Sequence, residues 1–422
     1  MTHTMVNVSR EKKEKTMSRK IVYAFMLALV LVAAGAVIAS ALELTPQEQL
    51  GKDIFFDKNL SINNNQACAA CHAPEVGGTG PDSMINAHGA VYEGSIMGRF
   101  GDRKPPSSAY ATQSPILSMT KGVFLGGNFW DGRATGERLG SPAAEQALGP
   151  FLNPLEQALG SPADVVGRIC ASTYQNLFWH VCGSAACDPA NVNAAYDCVG
   201  LSVAAYEGSP EVNQFSSKYD AVVNGTAKFT KLEQDGFNVF WGKGRCNKCH
   251  TVNPRGKQAL FTDYTFDNLG VPKNPENPFY FADPQFNPLG MAWLDQGLGG
   301  FLASQMMHPD WVPLAPENYG KHKVPTLRNV DKRPAPDVVK AYGHNGYFKS
   351  LKGIVHFYNT RDVLQVCPEW STEAYALANN CWPAPEIAQN VNMKLLGDLG
   401  LTADEEDALV EFMKTLSDGW KP

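Results

Sequence analysis

Outside its first 41 residues, the sequence has no apolar run that resembles a membrane span. It also lacks a basic excess: 36 lysines and arginines face 42 aspartates and glutamates, for a formal net charge of -6. Without a basic stripe to neutralise phosphates, a nucleic-acid role has little support. Only 18% of residues are charged and 44% are hydrophobic, which excludes an intrinsically disordered chain. The sequence therefore predicts a folded, acidic protein.

The N-terminus has the pattern of a secretion signal. Arg19 and Lys20 precede an apolar run over residues 21–38, and Ala39-Ser40-Ala41 forms a cleavage pattern. The run is long for a cleaved signal, so an uncleaved membrane anchor is the alternative. In either case the folded part of the chain is expected in the periplasm.

Four of the ten cysteines fall in two Cys-x-x-Cys-His motifs, and six remain. An even number of cysteines in an oxidising compartment allows three disulfides. Cys367 with Cys381 is the favoured pair in the C-terminal half. The other four allow three pairings that the sequence cannot separate: Cys170, Cys182, Cys187 and Cys198.

The two motifs have the spacing of c-type haem attachment. Two thiols three positions apart can each add to a vinyl group of one porphyrin, and the adjoining histidine can place a ring nitrogen on the iron. A zinc site and a redox dithiol are the alternatives. Export disfavours a free dithiol, and neither motif has the second ligand pair of a zinc ribbon. Two covalent haems are therefore predicted, at Cys68, Cys71 and His72 and at Cys246, Cys249 and His250.

An internal repeat leads into the two motifs. Threonine, glutamate, glycine and an aromatic pair recur at equal offsets, as Thr45, Glu48, Gly51 and Phe55-Phe56, then as Thr230, Glu233, Gly236 and Phe240-Trp241. Threonine with glutamate three residues later is a capping box, so each copy predicts a helix start. The expected core faces are Leu50, Ile54 and Phe55 in the first helix, and Leu232, Phe237 and Phe240 in the second.

A third capping box, Thr402 with Glu405, opens a helix that should close the second domain through Leu409, Phe412, Met413 and Leu416. An equivalent closing helix fits residues 192–206, which places the boundary in the polar stretch 219–227. A chain of 422 residues also exceeds one ordinary core. We therefore expect a mainly α-helical protein of two cytochrome c-type domains, residues 42–225 and 226–422, with 271–322 an irregular ordered loop.

Further strings occur in order along the chain. With the haem motifs, they make the sequence resemble the bacterial di-haem cytochrome c peroxidase family, including its MauG-like branch, from Thr45 to the C-terminus. The resemblance implies peroxide chemistry at haem 1 in the first domain and electron transfer through haem 2 in the second. The strings are Phe129-Trp130-Asp131-Gly132-Arg133, Glu145-Gln146-Ala147-Leu148-Gly149-Pro150, Val324-Pro325-Thr326-Leu327-Arg328-Asn329-Val330 and Gly343-His344-Asn345-Gly346.

The resemblance implies that His72 and His250 are the proximal ligands of haems 1 and 2. His88, 16 residues after His72, matches a histidine that caps haem 1 at rest and leaves on activation. A surface-loop histidine is the alternative for His88.

The resemblance also implies catalytic roles around haem 1. Glu156 matches the distal glutamate, which can move a proton between the two peroxide oxygens, and Gln146 would orient peroxide or a water. Trp130 matches a tryptophan that relays electrons between the haems. The alternatives are an exposed glutamate at a helix start and a buried structural tryptophan.

Tyr358 lies 14 residues beyond His344, where ordinary members of this family have a methionine ligand to haem 2 and the MauG-like branch has tyrosine. A phenolate donates charge and stabilises higher oxidation states of iron, whereas a thioether raises the potential. Ligation by Met306 or Met307 is the alternative. Four further histidines match no ligand position and are interpreted as structural or surface residues: His180, His308, His322 and His356.

The family also holds calcium between its haems, partly through an asparagine that follows an arginine. Here Lys104 follows Arg103, and a lysine cannot bind calcium. Calcium therefore carries over only if the neighbouring Asp102 substitutes.

Together these features predict an oxidoreductase that reduces hydrogen peroxide with electrons from a reduced cytochrome c or a cupredoxin. The acidic charge suits a basic redox partner, although it is also ordinary for a soluble protein. A MauG-like oxidase of a partner protein is the nearest alternative, favoured by Tyr358 and opposed by His88. A non-catalytic di-haem electron-transfer cytochrome and a zinc-binding interaction protein without haem are the other two.

Overall fold

The computed structural model describes residues 43–252 and 258–422. Residues Pro46–Pro422 form one compact unit. The predicted signal, residues 1–41, lies outside the described residues. Within them, no helix is both long and apolar enough to cross a membrane. The division into domains 42–225 and 226–422 stays a prediction.

Helices and irregular segments dominate the described residues, in agreement with the expected class. The α-helices are α1 (Pro46–Phe56), α2 (Ser83–Ala87), α3 (Pro142–Leu152), α4 (Pro162–Cys170), α5 (Gln175–Cys182), α6 (Val192–Gly208), α7 (Lys218–Val223), α8 (Lys231–Trp241), α9 (Gly297–Ala303), α10 (Leu351–Thr360), α11 (Glu373–Asn379) and α12 (Ala403–Lys414). Short 3₁₀ helices cover Lys58–Leu60, Cys68–Ala70, Pro74–Val76, Ala111–Gln113, Pro189–Asn191, Cys246–Lys248, Pro278–Phe281, Gly290–Ala292 and Val312–Asn318.

Within residues 43–252 and 258–422, the strands are short and form three pairs. β1 (Ser118–Thr120) pairs antiparallel with β2 (Val123–Leu125), and β3 (Phe266–Asp267) pairs antiparallel with β4 (His322–Lys323). β5 (Gln365–Val366) pairs parallel with β6 (Cys381–Trp382). Such short pairs hold loops together, and they place Phe124, Phe266 and Trp382 in the hydrophobic core.

The internal repeat corresponds to two similar helix crossings. α1 packs on α6 and α8 packs on α12. A Cβ atom on Gly51 would lie 1.8 Å from the Ser202 carbonyl oxygen, and one on Gly236 would lie 1.8 Å from that of Ala408. The repeated glycine therefore lets two helix backbones touch.

The capping boxes of Thr230 and Thr402 are confirmed, and α1 begins directly after Thr45. The first core face is confirmed, as is that of the closing helix. The prediction that Leu232 belongs to the core face is wrong. Leu232 is exposed in the first turn of α8, one turn before the buried residues begin at Gly236. The residues buried as predicted are Leu50, Ile54, Phe55, Phe240, Leu409, Phe412, Met413 and Leu416.

The helix predicted over residues 192–206, which closes the first half of the chain, is confirmed as α6. The polar stretch 219–227 contains most of helix α7, which begins with its own capping box of Ser217 and Asp220. The Asp220 carboxylate accepts two hydrogen bonds from the buried guanidinium of Arg328, so this stretch is anchored to the core. Residues 271–322 are largely irregular, as expected, apart from α9 and short 3₁₀ turns.

The disulfide between Cys367 and Cys381 is confirmed. The other bonds join Cys170 to Cys187 and Cys182 to Cys198, so one of the three open pairings is realised. The first ties the end of α4 to the loop between α5 and α6, and the second ties the end of α5 to α6.

Candidate functional site

The first Cys-x-x-Cys-His motif lies along a cleft that encloses about 970 Å³, its open mouth included. Cys68 begins a 3₁₀ turn, and Cys71 and His72 follow it. All three line the cleft. The Nδ1–H of His72 donates to the carbonyl oxygen of Gly78 over 3.1 Å, which leaves Nε2 free to bind a metal.

The second motif lines a larger cavity of about 1760 Å³, again with its mouth included. Cys246 begins an equivalent 3₁₀ turn, and Cys249 and His250 follow. The Nδ1–H of His250 donates to the carbonyl oxygen of Phe261 over 2.9 Å. The two motifs thus have the same local geometry in separate cavities.

These residues fit a covalently bound haem. The four motif cysteines are free thiols, whereas the other six cysteines form disulfides. Burial lowers the pKa of His72 and of His250, which keeps each imidazole neutral and able to ligate. Each cavity therefore combines two thiols with one oriented imidazole.

The smaller cleft also contains a half-buried acid and an amide. Glu156 follows α3, and its Oε1 accepts a hydrogen bond of 2.8 Å from Asn153 Nδ2. Burial raises the pKa of Glu156, and the charge of Arg133, which lines the same cleft, opposes that rise. Gln146, on α3, lines the cleft as well. The structure brings Glu156 and Gln146 to the first haem motif.

Trp130 lines both cavities. Its indole is buried, and Nε1–H donates to the carbonyl oxygen of Lys104 over 2.8 Å. Lys104 also lines both cavities, and its ammonium lies 5.9 Å from the centre of the Trp130 ring. This hydrogen bond to the backbone orients the indole ring, which lies between the two cavities.

Tyr358, on α10, lines the larger cavity with Cys246, Cys249 and His250. The two methionines considered instead do not line it: Met306 is 91% exposed and Met307 is 78% exposed. The methionine in that lining is Met413, on α12.

The structure does not bring His88 to either cavity lining. It follows α2, its side chain is 61% exposed, and Nδ1 lies 2.9 Å from Glu276 Oε1. His308 contacts Glu137, His356 contacts Glu406, and His180 is exposed. His322 and His344, in contrast, line the larger cavity.

Comparison with known proteins agrees with this geometry. A family described as di-haem cytochrome c peroxidase matches residues 45–228. The methylamine utilization protein MauG of Paracoccus denitrificans is 33% identical over 403 residues, which cover 93% of this chain and 94% of that protein. The chain belongs to the di-haem cytochrome c peroxidase family. It is thus an oxidoreductase with two covalently bound c-type haems.

Relatives within this family include peroxidases. The cytochrome c551 peroxidase of Nitrosomonas europaea is 28% identical over 250 residues, covering 56% of this chain and 64% of that protein. Among solved structures, the dihaem peroxidase BthA of Burkholderia thailandensis superposes with a TM-score of 0.68 at 28% identity. That match covers 90% of this chain and 87% of the other.

Sequence reasoning missed Glu207, a second acid of the smaller cleft. It lies on α6, is 4% exposed, and burial raises its pKa to about 8. Glu207 lies on the buried face of α6, eight residues after Val199 and four after Val203. An acidic residue at core spacing was the signal available in the sequence.

The residues considered for calcium have other partners. Arg103 donates 2.6 Å hydrogen bonds to Asp131 and Asp295, and the buried Lys104 ammonium donates to the Pro105 carbonyl oxygen over 2.9 Å. Asp102 has a side chain 39% exposed, with Oδ2 lying 3.8 Å from Arg103 Nε. Calcium binding through Asp102 stays a prediction.

Proposed function

We propose that the protein reduces hydrogen peroxide in the periplasm with electrons from a small c-type cytochrome or a cupredoxin. One observation carries the proposal: Glu156 and Gln146 line the same cleft as Cys68, Cys71 and His72. Cys68, Cys71 and His72 would hold a haem in that cleft, and its iron would supply the redox chemistry that delivers electrons to peroxide. Each peroxide takes up two electrons and two protons and leaves as two waters.

Glu156 acts on protons in this scheme. A carboxyl group at the peroxide can take a proton from one oxygen and return it to the other, which becomes the leaving water. Burial raises the pKa of Glu156, which brings it nearer to the pH at which such exchange is efficient. The amide of Gln146 orients peroxide in the cleft.

Electrons reach the cleft through Trp130, which lines both cavities. In this assignment, residues 42–225 hold haem 1 with His72 as proximal ligand, and residues 226–422 hold haem 2. His250 and Tyr358 are the two ligands of haem 2. His88 stays a proposed resting ligand of haem 1, although its exposure and its contact with Glu276 favour a surface role.

A MauG-like oxidation of a partner protein is the second candidate. Tyr358 lines the larger cavity, both Met306 and Met307 are exposed, and His88 lies away from the cleft lining. These positions favour a haem 2 ligated by tyrosine and a haem 1 without a sixth protein ligand. Peroxide would then withdraw electrons from side chains of the partner.

Steady-state turnover separates the candidates. Holoprotein with peroxide and a reduced small cytochrome should oxidise two cytochromes for each peroxide consumed. If peroxide leaves the cytochrome reduced but oxidises a co-incubated partner protein, the MauG-like activity replaces the peroxidase. If neither substrate is oxidised, the protein is an electron-transfer cytochrome.

A further inference from the structure

Four buried side chains that the proposed reaction does not use meet in the wall of the larger cavity. Asp295, His322 and His344 each place a ligand atom within 4.8 Å of the others, and Glu386 adjoins them. Their side chains are between 1% and 9% exposed. None belongs to a haem attachment motif.

Three distances between these side chains are close to the distances between neighbouring ligand atoms around a small metal ion. His322 Nε2 lies 3.2 Å from Asp295 Oδ2, and His344 Nε2 lies 3.4 Å from Glu386 Oε2. Bonds of about 2.0 to 2.1 Å in a tetrahedral shell place ligands about 3.4 Å apart. The third separation, 4.0 Å from His344 Nε2 to Asp295 Oδ2, needs only a small closure.

His322 presents a lone pair that has no hydrogen-bond donor. Its Nδ1–H donates to the Gly320 carbonyl oxygen over 3.1 Å, so the neutral ring carries its lone pair on Nε2. That atom is buried and, with the ring proton on Nδ1, faces the Asp295 oxygen 3.2 Å away without a hydrogen bond. Two buried acceptors facing each other are costly unless a cation lies between them.

The charged groups around the cluster also favour a bound cation. Arg103 donates to both oxygens of Asp295 and also to Asp131, and Arg133 donates to Asp131. The two guanidinium groups thus bind Asp131 and Asp295, whereas the Glu386 carboxylate faces the Asp295 backbone N–H, the Asn345 amide and the His344 ring, with neither an arginine nor a lysine among these partners.

We propose that Asp295, His322 and His344 bind one divalent first-row transition-metal ion, such as Zn²⁺, and that the Glu386 carboxylate, 3.4 Å from His344 Nε2, moves in as the fourth ligand. Two imidazoles with two carboxylates are a typical donor set for this class, whereas calcium and magnesium favour oxygen ligands alone. The two rings stack with centroids 3.6 Å apart and planes 8° apart. In the metal-free protein His344 donates its Nε2–H to Glu386, so binding shifts that proton to Nδ1 and turns the rings apart, and both Nε2 lone pairs then converge on the ion.

The test uses holoprotein that has been dialysed against a chelator, with its haem iron serving as an internal count of chains. Titration with Zn²⁺ followed by metal analysis should give one zinc for every two irons. X-ray absorption at the zinc edge should show imidazole and oxygen ligands. Sulfur ligation, or no saturable binding because a haem propionate fills the cluster, would overturn the proposal. Both measurements are made on the natural chain, so they do not depend on whether a variant folds.

Two matched variants locate the site. His322→Gln should weaken zinc binding at least about tenfold, since it removes one ligand. His356→Gln is the control: this histidine also faces a buried glutamate, with Nδ1 lying 2.9 Å from Glu406 Oε1, but it lies outside the cluster. The control should bind zinc as the natural chain does. Equal affinities in the two variants, with both retaining the haem spectrum, would exclude the cluster.

Discussion

At the scale of single residues, Glu156 is the group on which peroxide cleavage depends most directly. Glu156→Gln keeps the shape of the side chain and its bond with Asn153 but cannot take up a proton. We expect peroxide turnover to slow by about 10²-fold or more, with both haems retained. Stopped-flow mixing with peroxide measures the rate, and the haem spectrum checks the fold.

Glu207→Gln is the matched comparison, because Glu207 is another carboxyl group of the smaller cleft and is buried. We expect a much smaller effect on turnover from this change. If Glu207→Gln slows turnover and Glu156→Gln does not, the proton transfer belongs to Glu207.

Tyr358 determines the redox character of haem 2 in our assignment. Tyr358→Met replaces an anionic oxygen ligand by a neutral sulfur, which stabilises reduced iron. The reduction potential of haem 2 should rise by a sizeable part of the roughly 0.8 V that axial ligands span. A spectroscopic redox titration of the holoprotein measures this shift.

Tyr347→Phe is the control, because this buried tyrosine donates to the Ser371 carbonyl oxygen and does not line the larger cavity. Its haem potentials should be unchanged. If Tyr358→Met also titrates like the natural chain, Tyr358 is not the ligand. Met413, which lines the cavity, then becomes the candidate in preference to the exposed Met306 and Met307.

At the scale of elements, the two repeated helix crossings depend on a glycine. Gly236→Ala would place a methyl group against the Ala408 carbonyl oxygen and push α8 away from α12. Such overpacking should lower the free energy of unfolding by about 1 to 3 kcal/mol. Gly51→Ala should have the same effect at the crossing of α1 and α6.

Gly167→Ala is the matched control for the crossings. Gly167 is exposed in the interior of α4, and a Cβ atom there would meet nothing within 4 Å. Because alanine favours helix over glycine, we expect a gain of up to about 1 kcal/mol. Denaturant unfolding of each variant, followed by circular dichroism, gives the comparison. Equal stability of Gly167→Ala and Gly236→Ala would show that the close crossing carries no constraint.

At the scale of the whole molecule, covalent chemistry sets the composition of the mature protein. We expect two haems and three disulfides per chain, measured by intact mass with and without reduction and by haem staining of a denaturing gel. Replacing Cys246 and Cys249 with serine should leave one haem, because the first motif has its own thiols and imidazole. A single haem in the natural chain would contradict the assignment of both motifs.

The sequence by itself determined the features whose chemistry needs a fixed local spacing. The haem motifs, the capping boxes at Thr230 and Thr402, and the repeated Gly51 and Gly236 are of this kind. In each, the interacting groups lie within a few residues or in two copies of one pattern. The disulfide between Cys367 and Cys381 was also within reach, because it was the pairing favoured for the only two cysteines left in its half of the chain.

Tertiary structure decided which distant residues meet. It selected one pairing of the four clustered cysteines, left Met306 and Met307 on the surface, and placed Glu207 in the smaller cleft. It also brought Asp295 and Glu386 to the same pair of imidazoles, although 91 positions separate them in the chain. Burial and proximity of this kind follow from the packing of the whole chain around two cavities, and no local pattern of residue types encodes them.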